Sequence, residues 1–116
     1  MKFLIFNGSL KADAESNTFT VCKMTQLAFE KMGHECEVIT MRDLDYEGST
    51  SDVNDELKPH IMKMFKADGV IFATPIWWGN HSCHIQAMLD SLDVIYSWAK
   101  DNKHQPFYNK IFGTLV

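Results

Sequence analysis

The stretch KFLIFNGSLKADAESNTFT (residues 2–20) sets a short apolar strand against the start of a helix, with a polar tract between them. Residues 2–6 have the length and character of a buried strand. From Asn17 or Thr18 onward, Val21, Met24, Leu27, Ala28 and Met32 recur at helical spacing, and Gly33 is placed to end the helix. A joint of this kind needs only about two or three residues. The longer tract admits two readings. In one it is a surface turn in which Ser16 or Asn17 caps the helix. In the other it is a cradle for an anion, because the first helical N–H groups lack partners and the helix dipole adds about half a positive charge there. Gly8 permits a tight turn, Ser9, Ser16, Asn17 and Thr18 add side-chain donors, and Lys11 adds a charge. Asp13 and Glu15 must then point outward. The tract carries neither a Gly-Lys-Thr triphosphate signature nor a G-x-G-x-x-G dinucleotide fingerprint.

Outward from this joint the same alternation repeats. ECEVITM (35–41) begins with strict alternation of charged and apolar residues, as an edge strand does. Leu57, Ile61, Met64 and Phe65 form a second helical stripe. Pro59 confines the start of that helix to the span between Asp55 and Lys58. GVIFAT (69–74) is apolar on both faces and reads as a central strand. Ile85, Met88, Leu89, Leu92, Ile95, Tyr96 and Ala99 give one long third helix, and KIFGTLV (110–116) is again strand-like. The pattern β-α-β-α-β-α-β predicts a single α/β domain over residues 1–116, with parallel strands and helices on both faces. Sheets of this kind bind ligands beyond the carboxyl ends of their strands, where strand order reverses. The loops after the first and third strands are therefore the candidate site.

The totals narrow the class. A chain of 116 residues with 46% hydrophobic content has ample material for one core, and a domain of this size buries about 65% of its unfolded surface. The net charge of −4, with no basic stripe, excludes nucleic acid as the expected partner. The apolar run at the N-terminus is too short for a signal peptide, and nothing approaches the about 20 residues of a membrane span. Cys22, Cys36 and Cys83 are odd in number and match no metal spacing, so a reduced, cytoplasmic setting is expected. His81, Cys83 and His84 lie close together, but no third or fourth ligand can be named, so no metal site is assigned. Asp43, Asp45, Glu47, Asp52, Asp55 and Glu56 cluster in the loop after the second strand and read as a solvated face, with docking of a basic partner as the alternative.

The loop after the third strand, ATPIWWGNHS (73–82), decides between the two readings of the first loop. Adjacent tryptophans on a loop do not both enter one core pocket, so Trp77 and Trp78 read as a wall for a flat ring. Gly79 lets backbone approach that ring closely. The alternative is that an indole caps the sheet or fills a protein interface. A phosphate cradle beside an aromatic shelf describes a ligand that is part phosphate and part planar ring, and flavin mononucleotide (FMN) is such a ligand.

G-S-x(6)-S-N-T after the first strand, and T-P-I-W-W-G-x(2)-S followed by HIQAMLDSLD after the third, resemble the flavodoxin-like NAD(P)H-dependent FMN reductases and multimeric flavodoxins. The resemblance runs over the whole chain. It implies a flavodoxin-like three-layer α/β/α fold with a parallel sheet of order 2-1-3-4-5, here present as 2-1-3-4 without the usual fifth strand. It implies that Ser9, Ser16, Asn17 and Thr18 hold the FMN phosphate and that Pro75, Ile76, Trp77, Trp78 and Gly79 border the isoalloxazine, with Asn80 beside them. The family's third flavin loop, fifth strand and last helix follow the fourth strand, and the chain reaches Val116 before them. The fourth strand is therefore expected to be a bare edge, in a fragment of a longer reading frame or beneath a partner chain.

The activity the resemblance implies is electron transfer from NAD(P)H through bound FMN to a quinone, a flavin or a similar small-molecule acceptor. The cofactor carries the redox chemistry, so no catalytic side chain is assigned. A homo-oligomer is implied, with no nucleic-acid or membrane partner. Two other readings share the motifs: a flavodoxin-type electron-transfer module whose acidic loop meets a redox partner, and a shortened, non-catalytic domain that binds flavin weakly or not at all.

Overall fold

The computed structural model describes residues 1–116. Four parallel strands, β1 (Lys2–Asn7), β2 (Glu35–Thr40), β3 (Gly69–Ala73) and β4 (Ile111–Leu115), form one sheet of order β2-β1-β3-β4. β1 pairs with β2 on one side and β3 on the other, so Asn7 at its carboxyl end lies between Thr40 and Ala73. The apolar β3 is interior, as expected, and the alternating β2 is an edge. β4 is the other edge and pairs only with β3, so its predicted bareness holds within this chain.

Helices α1 (Asn17–Lys31), α2 (Leu57–Met64), α3 (Cys83–Ser91) and α4 (Asp93–Asp101) make the crossovers. The main core lies on the face covered by α2, α3 and α4. Leu4, Phe6, Ile39 and Val70 of the sheet meet Leu57, Ile61, Met64, Ile85, Met88 and Ile95 there. Pro59 sits in the first turn of α2, where its missing N–H costs nothing. Asp55 Oδ1 accepts from the Leu57 and Lys58 amides at 3.0 and 3.1 Å and caps that helix.

Two expectations about helices are corrected. The third helix is not continuous: it breaks at Leu92 into α3 and α4. Ser91 Oγ donates to the Ala87 carbonyl at 2.8 Å, a back-bond of the kind that bends helices, and the Leu92 amide is shared between the Met88 and Leu89 carbonyls. Leu89 and Tyr96, read as part of the buried stripe, face outward.

The apolar stripe of α1 is also turned away from the sheet. Val21, Met24, Leu27, Ala28 and Met32 are all exposed, Met24 by 65%, and Cys22 is the fully buried residue of the helix. The side that meets the sheet is Cys22, Gln26 and Phe29. Phe29 stacks on Phe3 with ring centroids 4.1 Å apart, and Gln26 Nε2 donates to the Cys36 carbonyl at 2.8 Å. This stripe escaped the pattern because it contains a cysteine and a glutamine, and because α1 covers its face of the sheet alone.

Candidate functional site

The two candidate loops leave adjacent strands at the same edge of the sheet. The Gly8 amide donates to the Ala73 carbonyl at 2.8 Å, which joins the exit of β1 to the exit of β3. The strand order reverses between β1 and β3, because β1 crosses to β2 on one side and β3 to β4 on the other. That is the position where open α/β sheets take ligands.

The first loop is built by its own side chains. Asn7 is fully buried, and its Oδ1 accepts from the Ser9 amide at 3.2 Å in a local turn. Ser9 and Ser16 are buried and their hydroxyls are 2.6 Å apart. Ser16 is the N-cap of α1: its Oγ accepts from the Phe19 amide at 3.0 Å. The capping reading is thus correct for Ser16, while Asn17 is the first helical residue and is exposed. Thr18 is half-buried beside it. The amides of Asn17 and Thr18, being the first two of the helix, have no intrahelical acceptor. Capping and anion binding are compatible here, because the cap engages the third helical amide and leaves the first two.

Asp13 departs from expectation. It was placed pointing outward, but it is half-buried, and its Oδ1 is sealed from solvent without a hydrogen-bond partner. The segment Asp13–Glu15 winds into a short 3-10 turn. Glu15 does face solvent. A buried carboxylate oxygen without a donor is costly. Asp13→Asn is expected to raise the folding stability by about 1 kcal/mol, read as a higher denaturant midpoint. A lower midpoint would show that this oxygen has a donor in solution.

The second loop is pinned at its base and tight at its tip. Thr74 and Ser82 are buried, and Thr74 Oγ1 accepts from the Ser82 amide at 2.9 Å. Ser82 then caps α3 by accepting from the Ile85 amide at 3.3 Å. Pro75 is half-buried, and Ile76, Trp77, Trp78, Gly79 and Asn80 are exposed. Trp77 and Asn80 exchange two backbone hydrogen bonds of 2.9 Å, closing a two-residue turn. Its central residues, Trp78 and Gly79, both have positive φ, 51° and 80°, the signature of a type I′ turn. A Cβ added at Gly79 would meet nothing within 4 Å. Open space therefore adjoins the backbone at Gly79. Trp77 is 45% exposed and Trp78 99%. Neither indole is packed beneath the sheet.

Sequence reasoning missed a contact next to the second loop. Tyr46, in the loop after β2, bonds through its hydroxyl to His84 Nδ1 at the start of α3. Burial, then the nearby Cys83 and Asp55, pushes the Tyr46 phenol up to about 12. Burial, then Arg42, holds His84 below the ordinary histidine range. The tyrosine therefore remains the donor and the neutral imidazole the acceptor. His81 is engaged elsewhere, with Nε2 2.6 Å from Gln86 Oε1, so the two histidines serve different partners. Residues 38 apart leave no local signal for such a pair.

A histidine that titrates lower when folded binds fewer protons in the folded state, so stability is present above the unfolded value of about 6.5 and is lost as pH falls through the window below it. His60, lowered by burial and then by Lys63, acts in the same direction. The melting temperature is expected to fall as pH is lowered from about 7.5 to about 5, and His84→Gln to flatten that dependence. An equal slope in the variant would remove His84 from this role.

The acidic loop is partly occupied with its own structure. Asp55 caps α2, Glu56 Oε2 accepts from the Asp45 amide at 2.6 Å, and Asp52 pairs with Lys58 at 2.7 Å.

The family model for NADPH-dependent FMN reductases matches residues 1–116, the full length of the chain. The chain belongs to this family. FMN and NAD(P)H are the cofactors by which the family is defined. Among curated proteins, an 8-demethyl-8-aminoriboflavin-5'-phosphate synthase of Streptomyces davaonensis is 28% identical over all of this chain and 50% of its own length. An iron-sulfur flavoprotein of Archaeoglobus fulgidus is 28% identical over 78% of this chain and 48% of its own. The chain spans about half the length of the curated relatives it matches. Among solved structures, RosB with a bound 8-demethyl-8-formylriboflavin-5'-phosphate superposes with a TM-score of 0.81 at 26% identity, over 98% of this chain and 50% of that one. The apo form of the NADH:FMN oxidoreductase EMOB gives 0.58 at 26% identity, over 77% and 48%. This FMN-reductase family chain carries the flavodoxin-like α/β fold of those neighbours. None of its helices is long and apolar enough to cross a membrane.

Proposed function

We propose that this chain binds FMN at the carboxyl edge of β1 and β3 and passes electrons from NAD(P)H to a small-molecule acceptor such as a quinone. The observation that carries the reading is the hydrogen bond from Gly8 to Ala73, which ties together the two strand exits from which the loop into α1 and the exposed Trp77–Asn80 turn depart. When bound, FMN supplies the acceptance and delivery of two electrons, so that NAD(P)H, a proton and a quinone become NAD(P)⁺ and a quinol.

The side chains hold and exclude; none is required to move a proton. The phosphate falls to the free amides of Asn17 and Thr18, with the Asn17 and Thr18 side chains, the Ser9 and Ser16 hydroxyls and Lys11 nearby. Pro75, Ile76, Trp77, Trp78, Gly79 and Asn80 form the border of the ring, where Gly79 leaves room for backbone contact. The loop of Tyr46 is tied to the start of α3, beside the second loop, through His84. The engagement of Asp52, Asp55 and Glu56 within their own loop favours a small-molecule acceptor over a basic redox partner. The same reading includes a homo-oligomer, supported by the outward apolar side of α1.

Titration of FMN into the purified chain tests the core of this. Quenching of flavin fluorescence that saturates at one FMN per chain is expected, followed by quinone-dependent oxidation of NADPH. Absence of quenching would leave the non-catalytic reading standing.

A further inference from the structure

A cleft of about 590 Å³ lies between α2 and α4. Ile61 and Ile95, which belong to the main core, form its floor. Met62 and Phe65 line the α2 side and Val94 and Trp98 the α4 side, and the loop before α2 and the segment before β4 complete it. None of the lining residues belongs to the loops after β1 and β3, so the cleft is separate from the candidate flavin site. Packed interiors leave few gaps larger than a water molecule. Here Met62 and Trp98 are 52% and 49% exposed, around a space within the about 300–1,000 Å³ of small-molecule pockets. Both aromatic side chains of the cleft are held by neighbours. Phe65 stacks on Phe107 with ring centroids 5.6 Å apart, and Trp98 meets His104 edge-on, also at 5.6 Å. Walls fixed in this way lose little side-chain freedom when a ligand enters. The lining offers far less area than the about 800 Å² per partner of a stable protein interface, so its occupant is a small molecule.

We propose that the cleft between α2 and α4 is a second ligand site, independent of the flavin, which takes one uncharged, apolar, ring-bearing molecule. The charges at its rim decide the class. Asp52 and Lys58 are paired with each other at 2.7 Å. Asp55 Oδ1 accepts from the Leu57 and Lys58 amides, and its Oδ2 from the Glu47 amide at 3.2 Å. An anionic ligand would have to take Lys58 from Asp52 and lie beside the carboxylate it displaced, and a cationic one would have to take Asp52 from Lys58. An uncharged molecule leaves every pair intact and gains by removing the apolar walls from water. Phe65 and Trp98 favour rings over an aliphatic chain, because they add ring–ring contact to plain burial.

N-phenyl-1-naphthylamine is a suitable probe, uncharged at neutral pH and more emissive in apolar surroundings. With the full chain its emission is expected to rise and saturate at one probe per chain. Calorimetry with FMN added is expected to give the same dissociation constant within about twofold. The sulfonated counterpart 8-anilino-1-naphthalenesulfonate, which has the same rings and a negative charge, is expected to bind about tenfold more weakly or worse. Met62→Glu, at a half-exposed position, is expected to weaken the neutral probe about tenfold. Met24→Glu, on the outward apolar side of α1, is expected to leave it unchanged. If Met62→Glu lowers the melting temperature, Val94→Phe decides in its place, since it fills the cleft without a charge and is expected to cause the same loss. Displacement of the probe by FMN overturns the proposal, as do tighter binding of the sulfonate and the absence of saturable binding. A loss in Met24→Glu with none in the cleft variants also overturns it, since the probe would then lie on α1. The flavin reading is tested separately by the FMN titration, and the two fail independently.

Discussion

Alanine at Gly8 is expected to lower stability by about 2–3 kcal/mol, a fall in melting temperature of about 10 °C for a domain of this size. A Cβ built there would lie 2.6 Å from Ile85 Cγ1, 2.8 Å from Ser82 Oγ and 2.9 Å from Ile85 Cδ1. Ile85 is buried and Ser82 is the cap of α3, so neither yields without displacing the start of that helix. The added methyl therefore wedges the first loop away from the second. FMN affinity is expected to fall along with stability, because the site exists only where those loops meet. Gly113→Ala is the control: the nearest atom to its added Cβ is Ile71 Cγ1 at 3.8 Å, ordinary contact, and the melting temperature is expected to move little. Equal effects at the two glycines would show that the joint is looser than the packing implies.

The double change Ser16→Ala, Asn17→Ala is expected to weaken FMN at least tenfold, since hydrogen bonds to a charged phosphate are worth about 1.5–3 kcal/mol each. Part of that comes through the fold. Ser16→Ala removes the α1 cap and one partner of the buried Ser9 hydroxyl, at a stability cost of about 1–2 kcal/mol. Asn17→Ala alone isolates the ligand contribution. Asn17 is exposed, so stability is expected to change by no more than about 0.5 kcal/mol while FMN binds about three- to tenfold more weakly. Unaltered FMN affinity in the double variant, measured by the same fluorescence titration, would refute the phosphate assignment.

The order of elements was legible because each long period in the chain points to one element. The strict alternation that opens ECEVIT pointed to an edge strand, and the unbroken apolar run GVIFA to an interior one. Pro59 bounded α2, and Gly33 closed α1. The site was legible for a related reason. Turn-forming and capping residues gathered at two strand ends, and parallel topology sends those ends to the same edge.

Other features lay beyond the reach of pattern. Which side of α1 meets the sheet depended on Cys22, Gln26 and Phe29, whose contacts outweigh a more hydrophobic stripe one-third of a turn away. The break at Leu92 came from a serine hydroxyl returning to a carbonyl, which hydropathy does not register. Asp13, in a short 3-10 turn, has one carboxylate oxygen buried, against the expectation for a charged loop residue.

By itself the amino-acid sequence determined the sheet, its interior and edge strands, a helix cap at Ser16 or Asn17 and the two loops that could hold a ligand, because these follow from local periodicity and backbone chemistry. Only the tertiary structure decided that Gly8 must be bare, that Tyr46 meets His84, and that Trp78 stands clear of the protein on a left-handed turn. Those outcomes depend on distances between residues far apart in the chain or on the sign of a single dihedral, and neither quantity is written in the spacing of apolar residues.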